Sequence, residues 1–203
     1  MRKLIFYCLT LLFLNGVSAG DINESNFLEF LSKKNSFYAE FMQTTFKDGQ
    51  DRKIKGEIKA NRRGMFKVVY QEPLNEIIFS DGNRLYRLDK EIEQLDILEI
   101  DTTLSESPIG IFSSNKEELE GMFSVTGCSI DEEYVTCFLE PKSEESFLKH
   151  ASIQLINDEL SSLTYVDSFE QKVILDFTNL SWDNIPDNKF TFQIPEGIDV
   201  VNH

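Results

Sequence analysis

The chain has 203 residues, 41% of them hydrophobic and 27% charged, and its 35 acidic side chains against 20 basic ones give a formal charge of −15 at pH 7. That balance disfavours nucleic acid or an anionic lipid surface as a partner, and two histidines and three cysteines leave little material for His-based acid–base or metal chemistry. The length suits one domain, and no Pro-, Gly- or Ser-rich linker divides it.

Arg2 and Lys3 precede an apolar stretch from Leu4 to Leu14, and Val17-Ser18-Ala19 follows as a small-residue cleavage site. This is the pattern of a secretory signal peptide over residues 1–19. Its apolar part is shorter than the roughly 20 residues a membrane-spanning helix needs. Cys8 lies inside the leader, so an acylated N-terminus is not expected. The expected product is a single exported domain over residues 20–203, with 18 basic against 35 acidic residues once Arg2 and Lys3 are removed.

A short amphipathic helix comes first, with Asn23 or Ser25 as candidate cap and Phe27, Leu28, Phe30 and Leu31 on its apolar side. From Ser36 the period changes to two. Phe37, Ala39 and Phe41 alternate with Tyr38, Glu40 and Met42, and beyond an Asp48-Gly49 turn Ile54, Gly56, Ile58 and Ala60 alternate with lysines and glutamate. Three further strand-like runs lie between Arg62 and Leu98, with Asp81-Gly82 as a hairpin signal. In the first of them Phe66, Val68 and Tyr70 share one face, and Arg62 begins that same face. A cation thus stands at one end of an apolar wall.

The alternation stops near Asp101. Thr102 to Met122 has the pattern of two short helices, with Ser107 as a cap before Pro108 at the first helical position. Strands resume from Phe123 and recur at Tyr134–Leu139, Phe147–Ile156, Leu160–Asp167, Lys172–Leu180 and Phe190–Phe192. A turn centred between Glu132 and Glu133 sets Cys128 opposite Cys137, so a cross-strand disulfide is feasible in an exported protein, the alternative being two buried thiols.

The expected fold is therefore mainly β: an antiparallel sheet of roughly ten strands, interrupted once by helices, that curls into a barrel or splits into a sandwich, the helices being the plug or lid of a partly closed barrel or the completion of an ordinary core. Such a partly closed barrel encloses a ligand. The candidate wall is Phe66, Val68, Tyr70 and Ile78, and the candidate lid is Phe27, Leu31, Pro108, Ile109, Ile111 and Phe112. Enzymatic machinery is not expected. The one nucleophile-elbow match, Gly16 to Gly20, straddles the cleavage site; His150 has the pattern of a surface strand residue, Glu132-Glu133 and Glu144-Glu145 that of solvated turns, and no phosphate or dinucleotide motif occurs. No cofactor or metal is expected.

The order of these pieces resembles the LolA family of periplasmic outer-membrane lipoprotein carriers. The matching segments are Phe37–Gln43, Arg62–Pro73, Ser80-Asp81-Gly82 with Leu85-Tyr86 and Asp89, Glu93-Gln94, Ser107-Pro108 and Phe190–Val200. The resemblance implies a mainly β fold, an open (unclosed) antiparallel β-barrel of roughly ten to eleven strands with a lid of about three short α-helices over a cavity for the acyl chains of a lipoprotein. It further implies cargo received from an inner-membrane ABC lipoprotein-releasing complex, delivery to an outer-membrane receptor, a monomer, and an arginine that bonds to the lid. By spacing to Phe66 and Pro73 that arginine is Arg62, with Arg63 as the alternative because it stands where the family commonly has proline. Val68 replaces a common tryptophan. Two other readings are a sensor of mislocalised lipid or lipoprotein on the same scaffold, whose relatives usually carry a further C-terminal domain, and an esterase, which lacks a base.

Overall fold

The computed structural model describes residues 22–47, 49–99, 107–131 and 133–203. The signal-peptide reading and the turn and helix positions at Asp48, Thr102–Glu106 and Glu132 lie outside the described residues.

Helix α1 (Phe27–Ser32) leads into strands β1 (Ser36–Lys47), β2 (Gln50–Asn61), β3 (Met65–Tyr70), β4 (Glu76–Asp81), β5 (Arg84–Asp89) and β6 (Gln94–Glu99). Helices α2 (Gly110–Ser113) and α3 (Lys116–Met122) follow, then β7 (Phe123–Asp131), β8 (Tyr134–Pro141), β9 (Leu148–Ile156), β10 (Glu159–Asp167), β11 (Lys172–Ser181) and β12 (Asp199–Asn202). The strands form one sheet in the order β12-β6-β5-β4-β3-β2-β1-β11-β10-β9-β8-β7. Two meanders meet where β1 pairs with β11, and β12 and β7 end the sheet without pairing with each other. The result is a curled, unclosed sheet of twelve strands among the described residues.

Four local expectations are corrected. The strand count is twelve rather than ten to eleven. The run Phe190–Phe192 is not a strand: a 3-10 turn at Asp187–Lys189 precedes it, Phe190 is buried, and the Phe192 ring packs 5.5 Å from that of Phe79. The alternation there marks two anchors of a strap rather than a pleat, because Pro186 and Pro195 bracket it and proline donates no ladder hydrogen bond. The last strand, β12, instead pairs parallel to β6. Finally, α1 starts after Asn26, not after Asn23 or Ser25, and Ser107 caps nothing: its Oγ has no partner among the described residues, with Pro108 in the turn before Gly110.

Strand alternation divides the apolar residues between two faces. Phe37, Ala39, Phe41, Ile58, Ala60, Phe66 and Val68 join the helices in the main core on the concave side. Ile77, Phe79, Leu88 and Leu95 form a second cluster with Phe192 and Ile198 of the strap. Strand β4 is therefore buried on both faces, Ile78 inward and its two neighbours outward. Helix α3 begins with a capping box in which Asn115 and Glu118 satisfy each other's backbone N–H groups.

Cys128 and Cys137 face each other across β7 and β8 and are joined by a disulfide with a Cα–Cα distance of 4.1 Å. This bond closes the hairpin at an edge of the sheet. Replacing Cys128 by alanine is expected to lower unfolding free energy by about 2–3 kcal/mol on chain-entropy grounds, measured by urea denaturation, and wild type in reductant should lose a similar amount.

A lidded apolar cavity as the candidate functional site

Inside the curl lies a cavity of about 280 Å³. Its wall includes Phe66, Val68, Tyr70 and Ile78, the four positions expected from sequence, and Pro108, Ile109 and Phe112 close it from the helical side. The other expected lid residues sit behind the surface. Phe27, Leu31 and Ile111 are buried in the main core and do not line the cavity. Phe41, Gln43, Ile58, Phe147, Tyr165, Leu175 and Phe177 also line it and were missing from the expected wall. The parity of β1, in which Phe41 and Gln43 continue the Phe37 face, and of β11, in which Leu175 and Phe177 alternate with acidic and polar residues, carried that signal.

Aromatic stacking seats α2 on the sheet. The Phe112 ring lies 4.6 Å from Phe37, nearly parallel to it, and 5.7 Å from Phe177, edge on. Trp182 packs against Phe37 at 5.1 Å.

Arg62 ties these helices to the sheet. Its guanidinium donates to the Ile111 carbonyl at 2.6 Å, the Ser114 carbonyl at 3.0 Å, the Leu31 carbonyl at 2.7 Å and, through Nε, the Lys34 carbonyl at 3.1 Å. These acceptors are main-chain oxygens at the C-terminal ends of α2 and α1, where a helix runs out of intrahelical donors. One planar fork therefore caps two helices at once, a task that suits arginine rather than lysine. Burial pulls the guanidinium down to about 10, still far above neutrality, so Arg62 is charged.

The adjacent turn adds a bond. Gly64, at φ +78°, donates its N–H to the Ser113 carbonyl at 3.1 Å, and a left-handed φ is readily adopted only by glycine. Arg63 points elsewhere. It pairs with Asp187 of the C-terminal strap, and both side chains are more than half exposed, so the pair contributes little.

A family model described as "Outer membrane lipoprotein carrier protein LolA" matches residues 32–193. The chain belongs to the LolA family. It is 30% identical to an outer-membrane lipoprotein carrier protein of Hahella chejuensis over 84% of each chain. It is 28% identical to one of Chromohalobacter salexigens, over 84% of this chain and 82% of that one. In fold it is similar to a LolA superfamily protein of Nitrosomonas europaea, with a TM-score of 0.50 at 11% identity, over 84% of this chain and 98% of that one. It is also similar to an uncharacterized conserved protein of Thermus thermophilus, with a TM-score of 0.56 at 10% identity, over 88% and 98%. The region matched to the LolA family contains Arg62, the cavity wall and α2. Among the described residues no helix is long and apolar enough to cross a membrane.

Proposed function

We propose that this protein is a periplasmic chaperone that takes the acyl chains of lipoproteins into its cavity and hands them to an acceptor at the outer membrane, with Arg62 as the latch of the lid. The observation that carries this reading is the capping of α1 and α2 by a single half-buried arginine beside an apolar cavity. A permanently shut core would need no such device. Hydrogen bonds to main-chain carbonyls can break and reform without leaving a carboxylate stranded, which is what a reversible lid requires.

Size supports a moving lid. At about 280 Å³ the cavity falls just below the ~300–1,000 Å³ of ordinary ligand pockets, so a whole acyl chain needs it to widen, which on this reading happens as α2 swings away from Phe37. Burying one sixteen-carbon chain would supply on the order of 12 kcal/mol at ~0.8 kcal/mol per methylene. A carrier with that full affinity would not release its cargo. Opening the lid breaks bonds to Arg62, and the net affinity falls to a level that an acceptor can exceed. Transfer then runs downhill without a nucleotide. The partners on this reading are acylated lipoproteins, an inner-membrane ABC lipoprotein-releasing complex and an outer-membrane receptor, with the carrier itself a monomer.

The test uses Trp182, the chain's one tryptophan, which senses the lid through Phe37. A synthetic triacylated lipopeptide should change its emission saturably, whereas the same peptide without acyl chains should not. Binding of the unacylated peptide, or of neither, would redirect the reading.

A further inference from the structure

The cavity is largely apolar, its polar lining being Gln43, Tyr70, Tyr165 and, beside Pro108, Ser107. Tyr70, the last residue of β3, and Tyr165 on β10 present phenol groups to it, and Gln43 on β1 presents a carboxamide. Neither phenol is hydrogen-bonded to protein among the described residues, and both tyrosines are half-buried. Burial raises the Tyr70 phenol to about 12 and raises Tyr165 as well, with Tyr70 itself contributing. Both remain protonated donors at neutral pH. A phenol that faces an apolar cavity can donate to an acceptor that a ligand brings there.

The placement of Tyr70 is built rather than incidental. Its ring stands edge on against Phe41 at 5.6 Å, and Tyr70 lies opposite Gly56 in the β2–β3 register. A Cβ on Gly56 would come within 2.4 Å of the Phe41 ring and 2.6 Å of the Val69 carbonyl. Glycine at 56 is what lets Phe41 lie where it supports Tyr70.

Gln43 marks a boundary. It also lines a second, polar pocket of about 520 Å³ with Thr45, Lys47, Gln50, Asp51 and Arg52, and its Nε2 donates to Thr45 Oγ1 at 3.2 Å. In the β1–β2 register Gln43 faces Ile54 while Ser36 faces Asn61, the neighbour of Arg62. Seven residues of strand at ~3.3 Å each put Gln43 about 23 Å from that latch end. The polar pocket thus lies at the end of the curl remote from the latch.

We propose that Tyr70 and Tyr165 donate hydrogen bonds to the carbonyl oxygens that join acyl chains to their cargo, and that the polar pocket beyond Gln43 holds the polar part of the cargo. This rests on the carrier reading above. An acyl chain is attached through an ester or amide, so each chain that enters an apolar cavity brings one carbonyl acceptor to its rim. Two waiting phenols match that chemistry, and the position of Gln43 sets the depth to which a chain penetrates. The site distinguishes acylated cargo from a plain hydrocarbon.

The experiment compares two synthetic lipopeptides of equal chain length, one with ester-linked diacylglyceryl chains and one with ether-linked dialkyl chains, by isothermal titration calorimetry. Wild type should bind the ester about tenfold more tightly, the sum of two neutral hydrogen bonds of ordinary strength. The Tyr70→Phe/Tyr165→Phe variant should bind both at the wild-type ether affinity. Should that variant lose ether binding as well, the single variants decide, each being expected to cut the preference about threefold. Equal affinities in the wild type, or a preference that survives both substitutions, overturns the proposal while leaving a carrier in place. Binding of neither lipopeptide by the wild type overturns the carrier reading and this proposal with it.

Discussion

Replacing Arg62 by leucine should tighten the binding of acylated cargo by roughly 150-fold while suppressing its handover to an acceptor. Of the bonds that must break when α2 leaves the sheet, Arg62 supplies those to Ile111 and Ser114, and at ~1.5 kcal/mol each, the low end for a charged bond, they hold the lid by about 3 kcal/mol. Leucine removes that term from the opening step. The lid then opens at little cost, the cavity keeps its cargo, and the gradient toward an acceptor disappears. Handover is measured by the movement of a labelled lipopeptide from the loaded variant to acceptor protein or vesicles. Tighter binding with normal handover would sink the latch idea, as would unchanged binding. Stability needs a separate reading, because the variant leaves four carbonyls of α1, α2 and their ends without their donor, and urea denaturation should show a loss. Arg63→Leu is the control. Its partner Asp187 is exposed and lies on the strap, so that variant should change binding and handover by less than twofold, as the small worth of exposed ion pairs implies.

Phe112→Ala should lower unfolding free energy by about 3–5 kcal/mol, a large share of the ~5–15 kcal/mol that holds a domain together. The ring is almost wholly buried, it stacks on Phe37 and meets Phe177 edge on, and it also forms part of the cavity wall. That double position separates two outcomes. If Phe112 is both keystone of the lid and lining of the binding site, the truncated protein has a larger and less well-closed cavity, and saturating lipopeptide should raise its melting temperature by more than it raises that of wild type. If lipopeptide shifts the two by the same amount, Phe112 is core packing only and the moving element is elsewhere.

Much of the architecture was legible because a β-strand's side-chain period is two and a sheet with one buried face cannot hide it. Phe37, Ala39 and Phe41 on β1, and Ile54, Gly56, Ile58 and Ala60 on β2, announced both strands and their inward face before any pairing was known. Extended to Arg62, the same parity misleads, because β3 starts only at Met65 and Arg62 lies in the turn before it. Cys128 and Cys137 were legible as partners for a related reason, since a short hairpin fixes its register through its turn.

Other features had no local signature. Phe190 and Phe192 alternate like a strand, yet their job is to anchor a strap, one in the interior and the other against Phe79 on the outer face of the sheet; two residues of alternation cannot tell a pleat from a pair of plugs. The parallel pairing of β12 with β6 depends on where that strap leads the chain, which no short-range pattern encodes. Ser107-Pro108 has the form of a helix start, but the turn there closes through the Ser107 carbonyl and the Gly110 N–H, leaving the hydroxyl unused.

The sequence by itself determined that an apolar wall exists, that a cation stands at its end, and that short helices interrupt the strands, because these follow from side-chain periodicity and local turn chemistry. Only the tertiary structure decided between Arg62 and Arg63 as the residue that meets those helices. Both lie in the turn between β2 and β3, where strand parity does not set direction, and the acceptors for Arg62 are backbone oxygens of residues 31, 34, 111 and 114. Backbone carbonyls are the same for every amino acid, so no reading of side chains could have located them; folding had to bring two helix ends to one guanidinium.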